Sequence, residues 1–136
     1  MSEQQNVKVV QDAYAAFGRG DIQSLLNTLS DEVEWHTPGE PLIPQAGSYH
    51  GRNEVSRFFQ NLDQTTQFGN FNPREFIAQG DRVIVLGDYD GTGKQTGRPF
   101  KSEWVMVFTL SGGKVTKFRE YTDTAAIAQA YIAKAA

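Results

Sequence analysis

The spacing of apolar residues changes period along this chain, and each period predicts an element. Val7, Val10, Tyr14 and Phe17 recur at helical intervals, which predicts a helix with one apolar face. Ser2 and Gln5 have the spacing of a capping box at its start, and Gly18 and Gly20 end it. Asp21 is placed to cap a second short helix with Ile22, Leu25, Leu26 and Leu29 on one face. The two form a helical hairpin joined by a glycine-rich turn. The period then drops to two. Val33, Trp35 and Thr37 share one face of a short strand, and Glu34 and His36 share the other. Pro38, Gly39, Pro41, Pro44 and Gly47 interrupt the pattern. They predict a mobile loop near the mouth of whatever Trp35 lines. Gly51 precedes a third helix that Asn53 could cap, with Val55, Phe58, Phe59 and Leu62 as its apolar face.

The remainder reads as a β meander. Residues 71–78 form a strand whose Pro73 marks an edge or entry point. Gln79, Gly80 and Asp81 turn the chain into a strand over residues 82–90, rich in Val, Ile and Leu. Residues 91–99 hold three glycines and read as a loop. The next strand, residues 100–110, carries Trp104, Met106 and Phe108 on one face. Ser111, Gly112 and Gly113 form a hairpin turn into a last strand, residues 114–122. Asp123 caps a terminal helix with Ile127, Ala130 and Tyr131 on one side. Helices cluster early and strands late, which argues α+β. The expected architecture is a cone-shaped, curved, mixed or antiparallel sheet wrapped around the N-terminal helices, an α+β roll with a pocket inside the cone.

Composition narrows the functions this architecture can serve. The 136 residues suit one domain, 1–136. Nine Phe, five Tyr and two Trp must line a core or a cavity. There is no cysteine, which excludes disulfides, thiolate nucleophiles and Cys-ligated metals. With two His and no cluster at ligand spacing, no metal and no cofactor is expected. The net charge of −3 and the absence of a basic run argue against nucleic acid. No apolar stretch approaches a membrane span, and the first eight residues lack the blocks of a signal peptide. A cytoplasmic protein is the expectation.

Several segments, taken in order, resemble the SnoaL-like branch of the nuclear-transport-factor-2-like superfamily. They are Val10-Gln11 through Gly20-Asp21, Glu34-Trp35-His36-Thr37-Pro38-Gly39 and Tyr49-His50-Gly51-Arg52-Asn53-Glu54-Val55. Gly91-Thr92-Gly93 with Thr96-Gly97-Arg98, and Gly113-Lys114-Val115 through Phe118-Arg119-Glu120-Tyr121-Thr122-Asp123, complete the set. The superfamily also holds ketosteroid isomerase, polyketide cyclases and limonene epoxide hydrolase. The fold hosts enzymes and non-enzymes, so the resemblance implies a fold before it implies an activity. It also implies a homodimer through the outer sheet face, where Val105 and Val107 would lie.

Each chemistry of those relatives can be tested on these residues. A ketosteroid isomerase needs a carboxylate base, with a Tyr and a protonated Asp at the enolate oxygen. The resemblance places Ala13, Thr37 and Val105 at those three positions, so all three groups are missing. The epoxide hydrolase relay falls on Gly87 and Tyr89, its water-holding pair on Trp35 and Thr37, and only Glu120 keeps an equivalent acid. The polyketide cyclases are similar in placing an acidic base at about Glu120. If Phe118 and Glu120 face the cone, Glu120 sits among Trp104, Met106 and Phe118. A carboxyl in apolar surroundings has a raised pKa and can exchange a proton near neutrality.

Glu120 is therefore the first catalytic candidate, and His36 the second should its strand bend at Thr37-Pro38. The ordinary structural account of Glu120 is pairing with Arg119, Arg82 or Lys101 across the sheet, or a place facing a dimer contact. Asp123 is explained as a helix cap, and Asp88, Asp90 and Glu103 are out of phase with the pocket. The ligand-binding set is Tyr14, Phe17, Trp35, Phe59, Tyr89, Trp104, Met106 and Phe118, a lining for a small hydrophobic or ring-bearing ligand. Three functions remain open: a cofactor-independent enzyme of cyclase, isomerase or lyase type, a non-catalytic carrier, and a protein-association domain.

Overall fold

A computed structural model describes residues 2–132. The elements run α1 (Glu3–Gly18), α2 (Ile22–Asn27), β1 (Leu29–Thr37), β2 (Gly47–His50), α3 (Gly51–Thr65), β3 (Thr66–Gln79), β4 (Arg82–Gly93), β5 (Pro99–Ser111), β6 (Lys114–Thr122) and α4 (Thr124–Ala128). The six strands form one curved, unclosed sheet in the order β2-β1-β6-β5-β4-β3. Every neighbouring pair is antiparallel except β1 and β6, which run parallel. The sheet is thus mixed, and the helices fill its concave side.

The local reasons are legible residue by residue. Ser2 and Gln5 close a reciprocal capping box on α1, with Gln5 N donating to Ser2 Oγ at 3.0 Å and Ser2 N to Gln5 Oε1 at 2.8 Å. Asp21 caps α2 by accepting from Ser24 N at 3.1 Å. The α3 start differs from expectation. The helix begins at Gly51 rather than after Asn53, and its cap residue His50 makes no side-chain cap bond. Instead Glu54 reaches back and accepts from His50 N at 2.8 Å, which satisfies an otherwise orphaned donor. Leu29, counted with the α2 face by period, is the first residue of β1.

β3 is an edge strand and carries register shifts between Phe68 and Phe71 and between Pro73 and Glu75. The second shift falls at the proline, which cannot donate to a ladder. Such bulges bend and twist a sheet, and here they lie on the strand that curls over the helices. The core sits between α1, α3 and the inner sheet face. Val10, Val33, Val55, Val83, Val85 and Val115 are wholly buried there, each worth about 1.5–3 kcal/mol on transfer from water. No described helix is long and apolar enough to cross a membrane.

Residues 38–46, expected as a mobile loop, pack onto the domain instead. Ile43 and Gln45 are buried, and Ile43 N donates to Gly39 O at 2.9 Å. The short β2 that follows pairs with β1, Trp35 opposite Tyr49.

Candidate functional site

The inner sheet face and the helices bound a cavity of about 100 Å³. Its wall is largely aromatic, with Phe17, Phe59, Phe68, Phe71, Phe108 and Phe118 among the bordering rings. Phe118 stacks on Trp35 with centroids 3.8 Å apart. A dry cavity of roughly 150 Å³ admits benzene. This one is smaller, and Pro38, Ile43 and Gln45 of residues 38–46 border it.

The floor is polar. Strand alternation in β6 turns Phe118, Glu120 and Thr122 to the cavity and leaves Arg119 and Tyr121 exposed outside. Glu120 stands opposite Met106 of β5. Tyr89 of β4 brings its hydroxyl to 2.9 Å from Glu120 Oε2 and 3.0 Å from Thr122 Oγ1. One phenolic proton serves one acceptor, and the carboxylate is the stronger, which leaves the Thr122 hydroxyl to donate back. Ser102 Oγ, 2.9 Å from Thr122 Oγ1, accepts from Asp123 N and steadies the arrangement from behind. Among the described residues no cation pairs with Glu120. Arg119, Arg82 and Lys101 do not reach it, so the ordinary ion-pair account fails.

Burial pushes the Glu120 carboxyl up to about 7, and the Tyr89 bond, which favours the ionised form, offsets only part of that. Glu120 retains some accessible area, but that area borders the cavity and not bulk water. Burial first, and the Glu120 charge second, hold the Tyr14 and Tyr89 phenols well above the ordinary tyrosine value. Both hydroxyls stay protonated donors. Tyr14 donates to the Met106 sulfur at 3.0 Å. A thioether is a weak acceptor, so this proton is easily redirected to a ligand oxygen. Among the described residues Trp35 Nε1 and Thr37 Oγ1 are buried without a hydrogen-bond partner.

Residues 10–118 match the SnoaL-like domain. The chain belongs to this family. An NTF2-like protein from Burkholderia xenovorans is similar, 41% identical, with a TM-score of 0.89 over 97% of this chain and 99% of that chain. TerC, solved after co-crystallisation with polyporic acid, is 28% identical, with a TM-score of 0.84 over 93% and 98% of the two chains. A putative SnoaL-like polyketide cyclase from Mesorhizobium loti, at 21% identity and a TM-score of 0.71 over 85% and 97%, shares the fold.

In this SnoaL-like chain the cavity gathers seven of the eight expected ligand-binding residues: Tyr14, Phe17, Trp35, Phe59, Tyr89, Met106 and Phe118. Trp104 is the exception and does not border it. Its indole lies over Gly87, where any Cβ would overlap the ring, and it stacks behind Tyr14 at 6.0 Å. His36 also stays outside. Alternation keeps His36 on the outer face beside Glu34, Arg119 and Tyr121, with Nδ1 2.9 Å from Ser48 Oγ. Ala13 and Thr37 do border the cavity, while Val105 is half-buried out of phase with it. The isomerase groups are absent from the places that would need them. No group of three or more His, Asp or Glu that could hold a metal exists among the described residues.

Sequence reasoning passed over Thr122, Gln45 and Thr66, all of which border the cavity, and used Tyr131 only as a helix-face residue. Thr122 was within reach, because it shares the phase of Phe118 and Glu120. Gln45 and Thr66 carry no periodic signal. Only the packing of residues 38–46 against the start of β3 brings them in.

Proposed function

We propose that this SnoaL-like protein is a cofactor-independent enzyme of cyclase, isomerase or lyase type that moves a proton on a compact apolar ligand. The observation that carries this reading is the Glu120 carboxyl. It faces an apolar cavity, has no cationic partner among the described residues, and ionises near 7. A group poised there serves as acid or base with nearly equal ease, and such catalysis contributes about 10²–10⁴-fold. Glu120 would take a proton from carbon or oxygen and return it elsewhere on the ligand. Tyr14, held only by a thioether, would orient a carbonyl or hydroxyl oxygen and stabilise charge developing on it. Tyr89 would hold Glu120 in place. The co-crystallisation of TerC with polyporic acid supports a small-molecule role for the shared scaffold.

The test has two stages. Neutral cyclic ketones and phenols are screened by thermal shift on the wild type and on Glu120→Gln. Bound ketones are then incubated in D₂O, and deuterium exchange next to the carbonyl is followed by NMR. The expected result is exchange in the wild type that falls by about 10²–10⁴-fold in Glu120→Gln while binding persists. Binding without exchange in either protein would make the chain a carrier. No binding at all, with the two proteins melting alike, would turn the assignment to protein association. Pairing of two copies through the outer sheet face accompanies any of these readings, and sedimentation analysis checks it.

A further inference from the structure

A second polar cluster borders the same cavity, and acid–base chemistry at Glu120 does not use it. Gln45 comes from residues 38–46, Thr66 opens β3, and Tyr131 follows α4. Gln45 and Thr66 are 6% and 5% exposed. Gln45 Nε2 donates to Tyr131 Oη at 3.2 Å, and Thr65 Oγ1 donates to Gln45 Oε1 at 2.9 Å. Thr66 Oγ1 and Tyr131 Oη share a short hydrogen bond. Tyr49 Oη donates to the Gln45 carbonyl at 2.7 Å and fixes its backbone. Three segments distant in sequence are thus tied together at the cavity wall.

Hydrogen-bonding capacity remains after these bonds are counted. A Gln amide has two N–H groups. One serves Tyr131, and the other has no partner among the described residues. A second bond from this amide to an oxygen that enters would add to recognition. The cluster is also uncharged. No Lys, Arg or His borders the cavity among the described residues, and its one acid is Glu120. A carboxylate or phosphate ligand would be buried with no counter-ion beside a group that itself ionises. A bare hydrocarbon would leave the amide N–H unpaired.

We propose that Gln45, Thr66 and Tyr131 form a second, neutral recognition subsite, which selects an uncharged ligand with two oxygens. One oxygen meets Tyr14 and Glu120, and the other, a hydroxyl or carbonyl, meets the Gln45 amide. This rests on the reading of the cavity as a ligand site. It adds what that reading leaves open, the class of ligand and the residues that choose it. Because Gln45 belongs to the segment over the cavity, engaging the second oxygen also holds that segment down.

The experiment measures equilibrium binding of three six-membered probes: 4-hydroxycyclohexanone, cyclohexanone and cyclohexanecarboxylate. The proteins are the wild type, Gln45→Met, Tyr131→Phe and Thr66→Val. The wild type should bind 4-hydroxycyclohexanone about tenfold more tightly than cyclohexanone, the worth of one paired buried donor. It should bind the carboxylate weakest. In Gln45→Met and Tyr131→Phe the preference for the second oxygen should shrink to about twofold. Thr66→Val keeps its shape on β3 and should lose part of the preference even if the other two loosen residues 38–46. Equal wild-type affinity for the two ketones would overturn the subsite, as would a preference that survives all three substitutions or carboxylate binding as tight as the ketones. If cyclohexanone binds and exchanges its protons through Glu120 without any such preference, the subsite falls and the catalytic reading stands. If no probe binds the wild type, both fall.

Discussion

Asp90 and Glu120 are both carboxylates on the long strands of one sheet, yet they lie on opposite faces and behave as different chemical groups. Asp90 faces outward from β4. It accepts from Asn70 N and from Asn70 Nδ2, each at 3.0 Å, and these bonds hold its carboxyl below the usual range. Asp88, two residues earlier, accepts from Asn72 Nδ2 at 2.9 Å and pairs with Arg74 at 3.1 Å. Glu120 faces inward from β6, receives one bond from Tyr89, and is pushed up to about 7. The Asn70 bonds favour the charged form of Asp90 on the outer face. Enclosure raises the inner acid toward neutrality. The period of two in a strand, and not residue type, decides which carboxylate meets the cavity.

The contrast can be broken or sharpened by measurement. The largest expected effect is on stability. Glu120 titrates higher in the folded chain than in the unfolded one, where 4.5 is the reference. The folded state therefore holds more protons between about 4.5 and 7, and the wild type loses stability as pH rises through that window. Glu120→Gln has no proton to lose. It should match the wild type near pH 4 and exceed it by about 3 kcal/mol at pH 8. Denaturant melts at both pH values check this, and parallel pH profiles for the two proteins would refute it.

Next in size is the inner-face position Gly87. Any side chain there collides with Trp104 and the Asn72 carbonyl, so Gly87→Ala should cost about 1–3 kcal/mol in a urea melt. Tyr89→Phe should be gentler. It removes the one bond that favours the Glu120 anion, so the carboxyl should titrate higher still, followed by ¹³C NMR. A downward shift would mean that the phenol acts as a spacer and not as a donor. The smallest effect belongs to the outer face. Arg74→Ala breaks a pair whose arginine is 54% exposed and should cost only about 0–1 kcal/mol.

Much of this layout could be read from the chain, and the rest had no local signal. The inward set Tyr89, Met106, Phe118 and Glu120 follows from alternation once the strands are placed. The outward direction of Asp88, Asp90 and Glu103 follows in the same way. Trp104 shares that phase and still misses the cavity, because a glycine on the neighbouring strand offers its indole a closer seat. β2 was hidden because four residues, Gly47–His50, carry no hydrophobic run and follow a proline-rich stretch. Their strand character comes from the partner they find in β1. The loop at residues 91–99 was overdrawn. β4 continues through Gly93 because those glycines pair with the start of β3 and let its backbone pass close by. The Gln45, Thr66 and Tyr131 cluster depends on three-dimensional closure, to which period and composition are blind.

The parallel contact between β1 and β6 also sets an order of events in time. Trp35 and Phe118, far apart in the chain, face each other across it, and such distant pairings are slow to form. Until β1 and β6 pair, the cavity lacks the wall that Trp35 and Phe118 supply. Docking of the last strand encloses the acid among aromatic rings, and the raised Glu120 value links that enclosure to partial proton uptake near neutral pH. Refolding should consequently slow as the solution is made more alkaline.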